Sequence, residues 1–182
     1  APRVPSHPIN QSTRNLESSF DGLNAFDIRY ANNGNQANHE PPDQGLCVGN
    51  GYVLESVNTA LRVFDLKGTP LTPAIDLNTF FGYPPEYDRV TELQGPSIFD
   101  PTCLFDQDTQ RWFQVAAVQE IDPVSGDSLP KMHIDIAVSQ TADPTGQWVT
   151  YPVPAQNNGT DGTPDHQCGS YCLGDYPHIG TD

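Results

Sequence analysis

The clearest alternation of apolar and polar positions lies between Asp100 and Val118, DPTCLFDQDTQRWFQVAAV. A short apolar run, Cys103–Phe105, meets a polar stretch, Asp106–Gln110, and then Trp112–Val118, rich in aromatic and β-branched residues. This arrangement predicts a β-hairpin. The same pattern stands upstream at Asp43, where DQGLCVGNGYVLESV supplies an Asp, the run Leu46–Val48, a Gly49-Asn50-Gly51 turn and the run Tyr52–Val57. It begins once more at Asp175 with DYPHIGTD.

Further runs extend each copy. After Tyr52–Val57, the segment ALRVFDL alternates with the period of a half-buried strand, predicting Leu61–Leu66. A Lys67-Gly68 turn and a looser Pro/Tyr-rich stretch follow. The second copy predicts strands at Cys103–Phe105, Trp112–Gln119, His133–Ser139 and Gln147–Val153, the last two joined by the turn Thr141–Gly146. The third copy supplies His178–Ile179. No segment has a convincing helical period, and Asp76–Phe81 offers one turn at most. The fold class is therefore all-β. It divides into an extended N-terminal arm (1–42), a first unit (43–99), a second (100–174) and the start of a third (175–182). Within the arm, Phe20–Tyr30 alone has strand character and is expected to dock through Phe20, Leu23, Phe26 and Ile28.

The ordered segments PPDQGLCVGNGYVLESVN, LRVFDLKGTPL, GPSIFDPTCLFDQDTQRWF, IAVSQTADPTGQWVTY and GDYPHIGTD resemble secreted β-propeller proteins related to the sialidase-like and Asp-box propellers. The resemblance covers Asp43 to Asp182. The repeats, 57 and 75 residues apart, exceed the roughly 40–50 of common propeller repeats, which loop insertions accommodate. An Asp-box reads Ser-x-Asp-x-Gly-x-Thr-Trp. Here Thr141-Ala-Asp143-Pro-Thr-Gly146-Gln-Trp148 has one residue too many between Asp and Gly and lacks the Thr before Trp. It is Asp-box-like, with Asp143 expected to cap the turn and Trp148 to pack between blades. The resemblance implies four-stranded antiparallel blades, two of them plus the start of a third. Propellers need about 4–8 blades to cover their edges. The partners expected are thus the remaining blades of the same protein, the favoured reading, or other chains completing the ring.

The charge narrows the function. With 23 acidic against 8 basic residues the formal charge is −15, which argues against nucleic acid and anionic membranes. No apolar run approaches the roughly 18 residues of a membrane span. Four Cys, few Lys and the sequons at Asn10 and Asn158 point to a secreted or cell-surface protein.

Asp43, Asp100 and Asp175 each precede the innermost strand of a unit, which the resemblance places near one channel mouth. Carboxylates gathered there repel one another unless compensated, and Ca²⁺ is the natural cofactor. The plainer alternative is that each Asp caps its own turn. Four Cys allow three pairings. Cys168–Cys172 would clip a loop, and Cys47–Cys103 would staple the inner strands of neighbouring blades. Zinc at Cys168, Cys172 and the flanking His166 and His178 fits poorly, because a second tight ligand pair is missing. A glycosidase needs two facing carboxylates. Glu40, Glu55, Asp88, Glu92, Glu120 and Asp122 are available, but spacing pairs none of them. A sialidase also needs converging arginines, and Arg62, Arg89 and Arg111 are better read as packed or solvated. Tyr83, Tyr87, Trp112 and Trp148 could form a sugar-stacking platform, though blade aromatics are more often core. The leading expectation is a binding or scaffolding module, Ca²⁺-stabilised, for carbohydrate or protein partners. The alternative is a carbohydrate-active enzyme, a sialidase-like glycoside hydrolase or lyase, with part of its site elsewhere.

Overall fold

Asn50 and Gly51 take φ of 45° and 86°, the geometry of the two-residue turn whose twist suits a hairpin. Around that turn β1 (Gln44–Gly49) pairs antiparallel with β2 (Tyr52–Val57), Cys47 opposite Leu54. β3 (Ala60–Asp65) and the short β4 (Ile75–Asp76) complete a four-stranded meander. A second meander follows: β5 (Ser97–Asp106), β6 (Arg111–Ile121), β7 (Ser128–Ser139) and β8 (Trp148–Pro154). These elements are those of a computed structural model that describes residues 19–37 and 39–181. The protein is mostly β, with two four-stranded antiparallel sheets in consecutive order. Among the described residues neither sheet closes on itself.

The sheets stack through their first strands. Gly45 and Gly49 lie against β5: a Cβ on Gly45 would stand 2.7 Å from the Pro101 carbonyl oxygen, and one on Gly49 would overlap the Phe105 ring. Between them Cys47 is bonded to Cys103, with Cα atoms 5.8 Å apart. Leu54, Leu61 and Val63 of the first sheet share one core with Ile98, Trp112, Ala116 and Val118 of the second. Leu77 and Phe81 enter the same core from α2 (Leu77–Phe81). This is the helical turn expected after Asp76, whose carboxylate accepts the Thr79 N–H at 3.0 Å. Trp148 packs edge-on against Phe80, centroids 5.3 Å apart, so the Asp-box-like turn does bring its Trp between the sheets. Asp143 Oδ1 caps that turn by accepting from Thr145 N and Oγ1 at 2.9 and 2.7 Å.

The N-terminal segment differs from expectation. Residues read as a strand form the helix α1 (Ala25–Tyr30). A reciprocal cap overrides their β propensity: Asn24 Oδ1 accepts from Phe26 N and Asp27 N, and Asp27 Oδ2 accepts from Asn24 N. Ile28 and Leu23 dock on Val57 and Ala60, and Phe20 reaches Phe64. Phe26 does not dock; it is 69% exposed and rests on Tyr30. The segment covers the outer face of the first sheet, pinned by Arg62 to Asp27 at 2.8 Å and by the Leu23 N–H to Glu55 at 2.8 Å. His178–Ile179 is not a strand either. Tyr176 takes φ of 49° and Pro177 has no N–H, so the segment runs beside β5 on two contacts, Tyr176 N to Asp100 and Thr102 Oγ1 to the Pro177 carbonyl.

The second sheet has a different outer face. Phe113, Ile134, Ile136 and Val138 are half-buried there, and Val149, Tyr151 and Val153 are exposed, Tyr151 by 54%. Both faces of this sheet are therefore apolar.

Both disulfides close chain loops, of sequence separation 56 and 4. Loop-closure entropy predicts that Cys47→Ser with Cys103→Ser costs roughly 4 kcal/mol, and Cys168→Ser with Cys172→Ser roughly 2 kcal/mol. Urea unfolding of the two double variants measures both; equal losses would contradict the staple role of the first.

Candidate functional site

Hairpin geometry sorts the two ends of the sheets. The tight turns at Asn50-Gly51, Asp106–Arg111 and Thr141–Gly146 gather at one end, where Asn50 Nδ2 donates to the Ala142 carbonyl at 3.2 Å. The opposite end carries three polar clusters, each built on a buried ionisable residue.

The first is the predicted aspartate set. Asp100 sits at a break in the β5–β6 register with φ of 51°. Asn58 joins it to the first unit: Asn58 Oδ1 accepts the Asp100 N–H at 2.7 Å, and Asn58 Nδ2 donates to Asp43 Oδ2 at 3.0 Å. The Asp100 carboxyl lies within hydrogen-bonding reach of those of both Asp43 and Asp175. Burial pushes its pKa up to about 6; the Tyr176 N–H opposes this, while bonds to Asp175 and Asp43 and the Asp175 charge add to it. The structure thus brings together the three carboxyls that spacing singled out. Asp43 and Asp175 each neighbour Asp100, and no group of three or more His, Cys, Asp or Glu among the described residues is arranged to hold a metal ion.

The second cluster escaped the sequence reading. β7 places His133 and Asp135 two residues apart on the face toward the first sheet. His133 Nδ1 meets Asp135 Oδ1 at 2.5 Å, and its Nε2 meets Glu120 Oε1 at 3.2 Å. Tyr83, from the loop after α2, donates its hydroxyl to Asp135 Oδ2 at 2.8 Å. Burial opposes charge on His133, but the bond and charge of Asp135, then those of Glu120, outweigh it and raise its pKa. Burial, then the Asp135 bond and charge, raise that of Tyr83. The raised pKa favours the protonated form of His133, held between Asp135 and Glu120, and the Tyr83 hydroxyl donates to Asp135. It borders a cavity of about 330 Å³, also lined by Lys131, Pro152, Pro154, Gln156 and Asp161, within the roughly 300–1,000 Å³ of small-molecule sites. The visible signal was HIDIAV, in which two ionisable residues take alternate positions of an otherwise apolar strand.

The third cluster joins His39, Glu86 and Ser97. His39 Nε2 and Ser97 Oγ both reach Glu86 Oε1, at 2.5 and 3.1 Å. The Glu86 bond raises the His39 pKa, burial opposes it, and the Glu86 charge adds to it. One imidazole nitrogen faces both partners, so this is not the relay of a nucleophilic triad, which uses opposite nitrogens.

Other candidates are scattered. Glu55 binds Leu23 N and Gln44 Nε2, while Asp88 and Asp122 cap their own exposed turns. Glu40 and Glu92 join none of the three clusters. Arg62 pairs with Asp27, Arg89 lies over Tyr87, and Arg111 holds turn carbonyls, so they do not converge. Trp112 is fully buried and Trp148 packs on Phe80, so of the aromatic set only Tyr83 faces the cavity. The Cys168–Cys172 bond removes both thiolates from any zinc site. Asn158 Nδ2 donates to the Ser170 carbonyl at 2.9 Å, a bond that a glycan on that nitrogen would alter; Asn10 lies outside the described residues. No helix among the described residues is long and apolar enough to cross a membrane. Compared with protein-family models, with curated proteins and with solved structures, the chain matches none.

Because the folded pKa of Asp100 exceeds its unfolded value, its contribution to stability is fully present below about pH 4 and is lost as pH rises through about 6. Asp100→Asn, which suits positive φ, is expected to melt higher than the parent above pH 6, with the gap closing by pH 4. Melting curves at pH 4–8 in chelating buffer test this; a parent that gains on the variant between pH 4 and 6 would refute it.

Proposed function

We propose that this chain forms blades of a secreted β-propeller and works as a binding module whose ligand site is the cavity between Tyr83 and His133. One observation carries the reading: the cavity is walled by Tyr83 of the first unit and by Glu120 and His133 of the second, so it exists only where consecutive sheets stack. The two disulfides suit an oxidising compartment. The outer face of β5–β8 supports the ring. A half-exposed apolar sheet face is what a following blade would cover, and the occupant proposed for it is another four-stranded meander of this kind. Ca²⁺ belongs to the same reading, as the ion that would compensate the carboxyls of Asp43, Asp100 and Asp175 once Asp100 loses its proton. Binding is preferred to glycoside cleavage because the His133 imidazole bonds both Glu120 and Asp135 and stands between them, where a scissile bond would have to lie.

Hydrogen exchange of the purified protein, read by mass spectrometry against neutral sugars, anionic sugars and short peptides, tests the site. Slowed exchange in residues 119–121, 131–135 and 154–161 with at least one of these is expected. Protection confined to the hairpin-turn end, or none, would overturn the reading. For the ring, Tyr151→Lys in the secreted protein should cost more than about 1.5 kcal/mol, whereas an open face gives a change within about 0.5.

A further inference from the structure

Two guanidinium groups meet at one carbonyl. Arg29 Nη1 donates to the Gly34 oxygen at 3.1 Å, and Arg89 Nε donates to the same oxygen at 2.5 Å. Arg89 also reaches the Gln36 carbonyl through Nη2 at 3.4 Å. The turn that aims the shared oxygen is left-handed at three successive residues, Asn32, Asn33 and Gly34, with φ of 48°, 56° and 80°. Asn and Gly are the residues that best tolerate that region. A Cβ on Gly34 would crowd Arg29 Nη1 at 3.3 Å. Each guanidinium also lies over an aromatic ring, Arg29 over Tyr30 and Arg89 over Tyr87, at 5.7 and 5.5 Å from the centroids.

The charge of this pair is not answered. A carbonyl oxygen carries only a partial charge, and two cations drawn to one oxygen repel each other. Neither arginine makes an ion pair among the described residues, whereas Arg62 holds Asp27. Arg89 lines a cavity of about 420 Å³ whose other charged residues are His39 and Glu86. Glu86 already accepts three donors there: His39 Nε2 and Ser97 Oγ at Oε1, and the Ala37 N–H at Oε2. His39 and Glu86 therefore answer each other, and the guanidinium charge remains. In a chain of net charge −15 this is a local reversal of sign at a cavity wall. The N–H groups that the two guanidiniums do not give to carbonyls suit the paired oxygens of an oxyanion, and Tyr87 and Ile121 offer the body of such a ligand an apolar wall. We propose that Arg29 and Arg89 form an anion site beside this cavity and take one oxyanion group, a carboxylate or a sulfate or phosphate ester. The site is separate from the Tyr83–His133 cavity and does not depend on the reading given for it.

Nuclear magnetic resonance titration of the isotope-labelled, purified protein with sodium acetate, glucuronate, sulfate and phosphate tests this, with sodium chloride at matched ionic strength as the blank. The Nε–H signals of Arg29 and Arg89 and the amide of Gly34 should shift saturably with at least one oxyanion and not with chloride. A response to acetate and glucuronate names a carboxylate, and a response to sulfate or phosphate names an ester; each supports the site. Arg89→Gln should abolish the saturable shift at Gly34. Arg29→Gln leaves Arg89 in place and should weaken binding about tenfold at an unchanged melting temperature, the loss of roughly one charge-assisted hydrogen bond. It stands as the test should the Arg89 variant not fold. Shifts that follow ionic strength alone, no saturable shift with any probe, or binding that survives the substitutions would overturn the proposal. Saturable shifts confined to Lys131 and His133 would overturn it too, because they place the anion in the other cavity and leave the arginine pair a structural clamp.

Discussion

The seam between β1 and β5 fixes everything else. Backbones of neighbouring sheets can approach closely there because Gly45 and Gly49 present no side chain to Pro101 and Phe105. The Cys47–Cys103 bond sits between the two glycines and holds the approach. Beyond these inner strands the two sheets share one core, which Trp112, Leu77 and Phe81 help to fill. The same lock lines up the ends of both sheets. The β1–β2, β5–β6 and β7–β8 turns collect on one side, and the chemistry gathers on the other, where Asn58 of the β2–β3 turn joins Asp43 to Asp100.

That chemistry is a study in how buried charge is compensated. His133 stands between Asp135 and Glu120, and Tyr83 satisfies a remaining Asp135 oxygen. Each partner would be costly alone in a low dielectric; together they hold the first unit's loop against the second sheet. The aspartates at the inner strands are balanced differently. Burial, and the neighbouring Asp175 and Asp43 carboxyls, lead Asp100 to retain its proton to higher pH. In a chain of net charge −15 such crowding is a cost that the Asn58 side-chain amide and the Tyr176 N–H offset only in part.

Much of this was legible in the residues. Apolar runs set off by turns, with period-two alternation at Ala60–Leu66, located all the strands except the two-residue β4, though they also suggested one at His178–Ile179 that does not form, and the Gly49-Asn50-Gly51 turn marked the first hairpin. Repeat position alone brought Asp43, Asp100 and Asp175 together, and equivalent positions on inner strands paired Cys47 with Cys103. Local capping was what defeated propensity. FDIRY reads as β, yet Asn24 and Asp27 close a reciprocal cap on each other's N–H groups and the segment turns helical. The His133 network was hidden for another reason. Its members are 37 to 52 residues from Tyr83 in sequence, and only the sheet stacking makes them neighbours. Polar residues at inward positions of β7 were the available clue, but the alternation that reveals a strand does not say which face will be buried.

The stacking itself is open to a direct measurement. In a nuclear Overhauser spectrum of the folded protein, the Phe80 ring should show cross-peaks to the Trp148 indole, 5.3 Å away between centroids, and the Tyr83 ring to the His133 imidazole, 6.0 Å away. Both pairs bridge the two sheets. If both sets are seen, the sheets share one core and one polar end as described. Strong cross-peaks within each meander with neither pair visible between them would contradict the account.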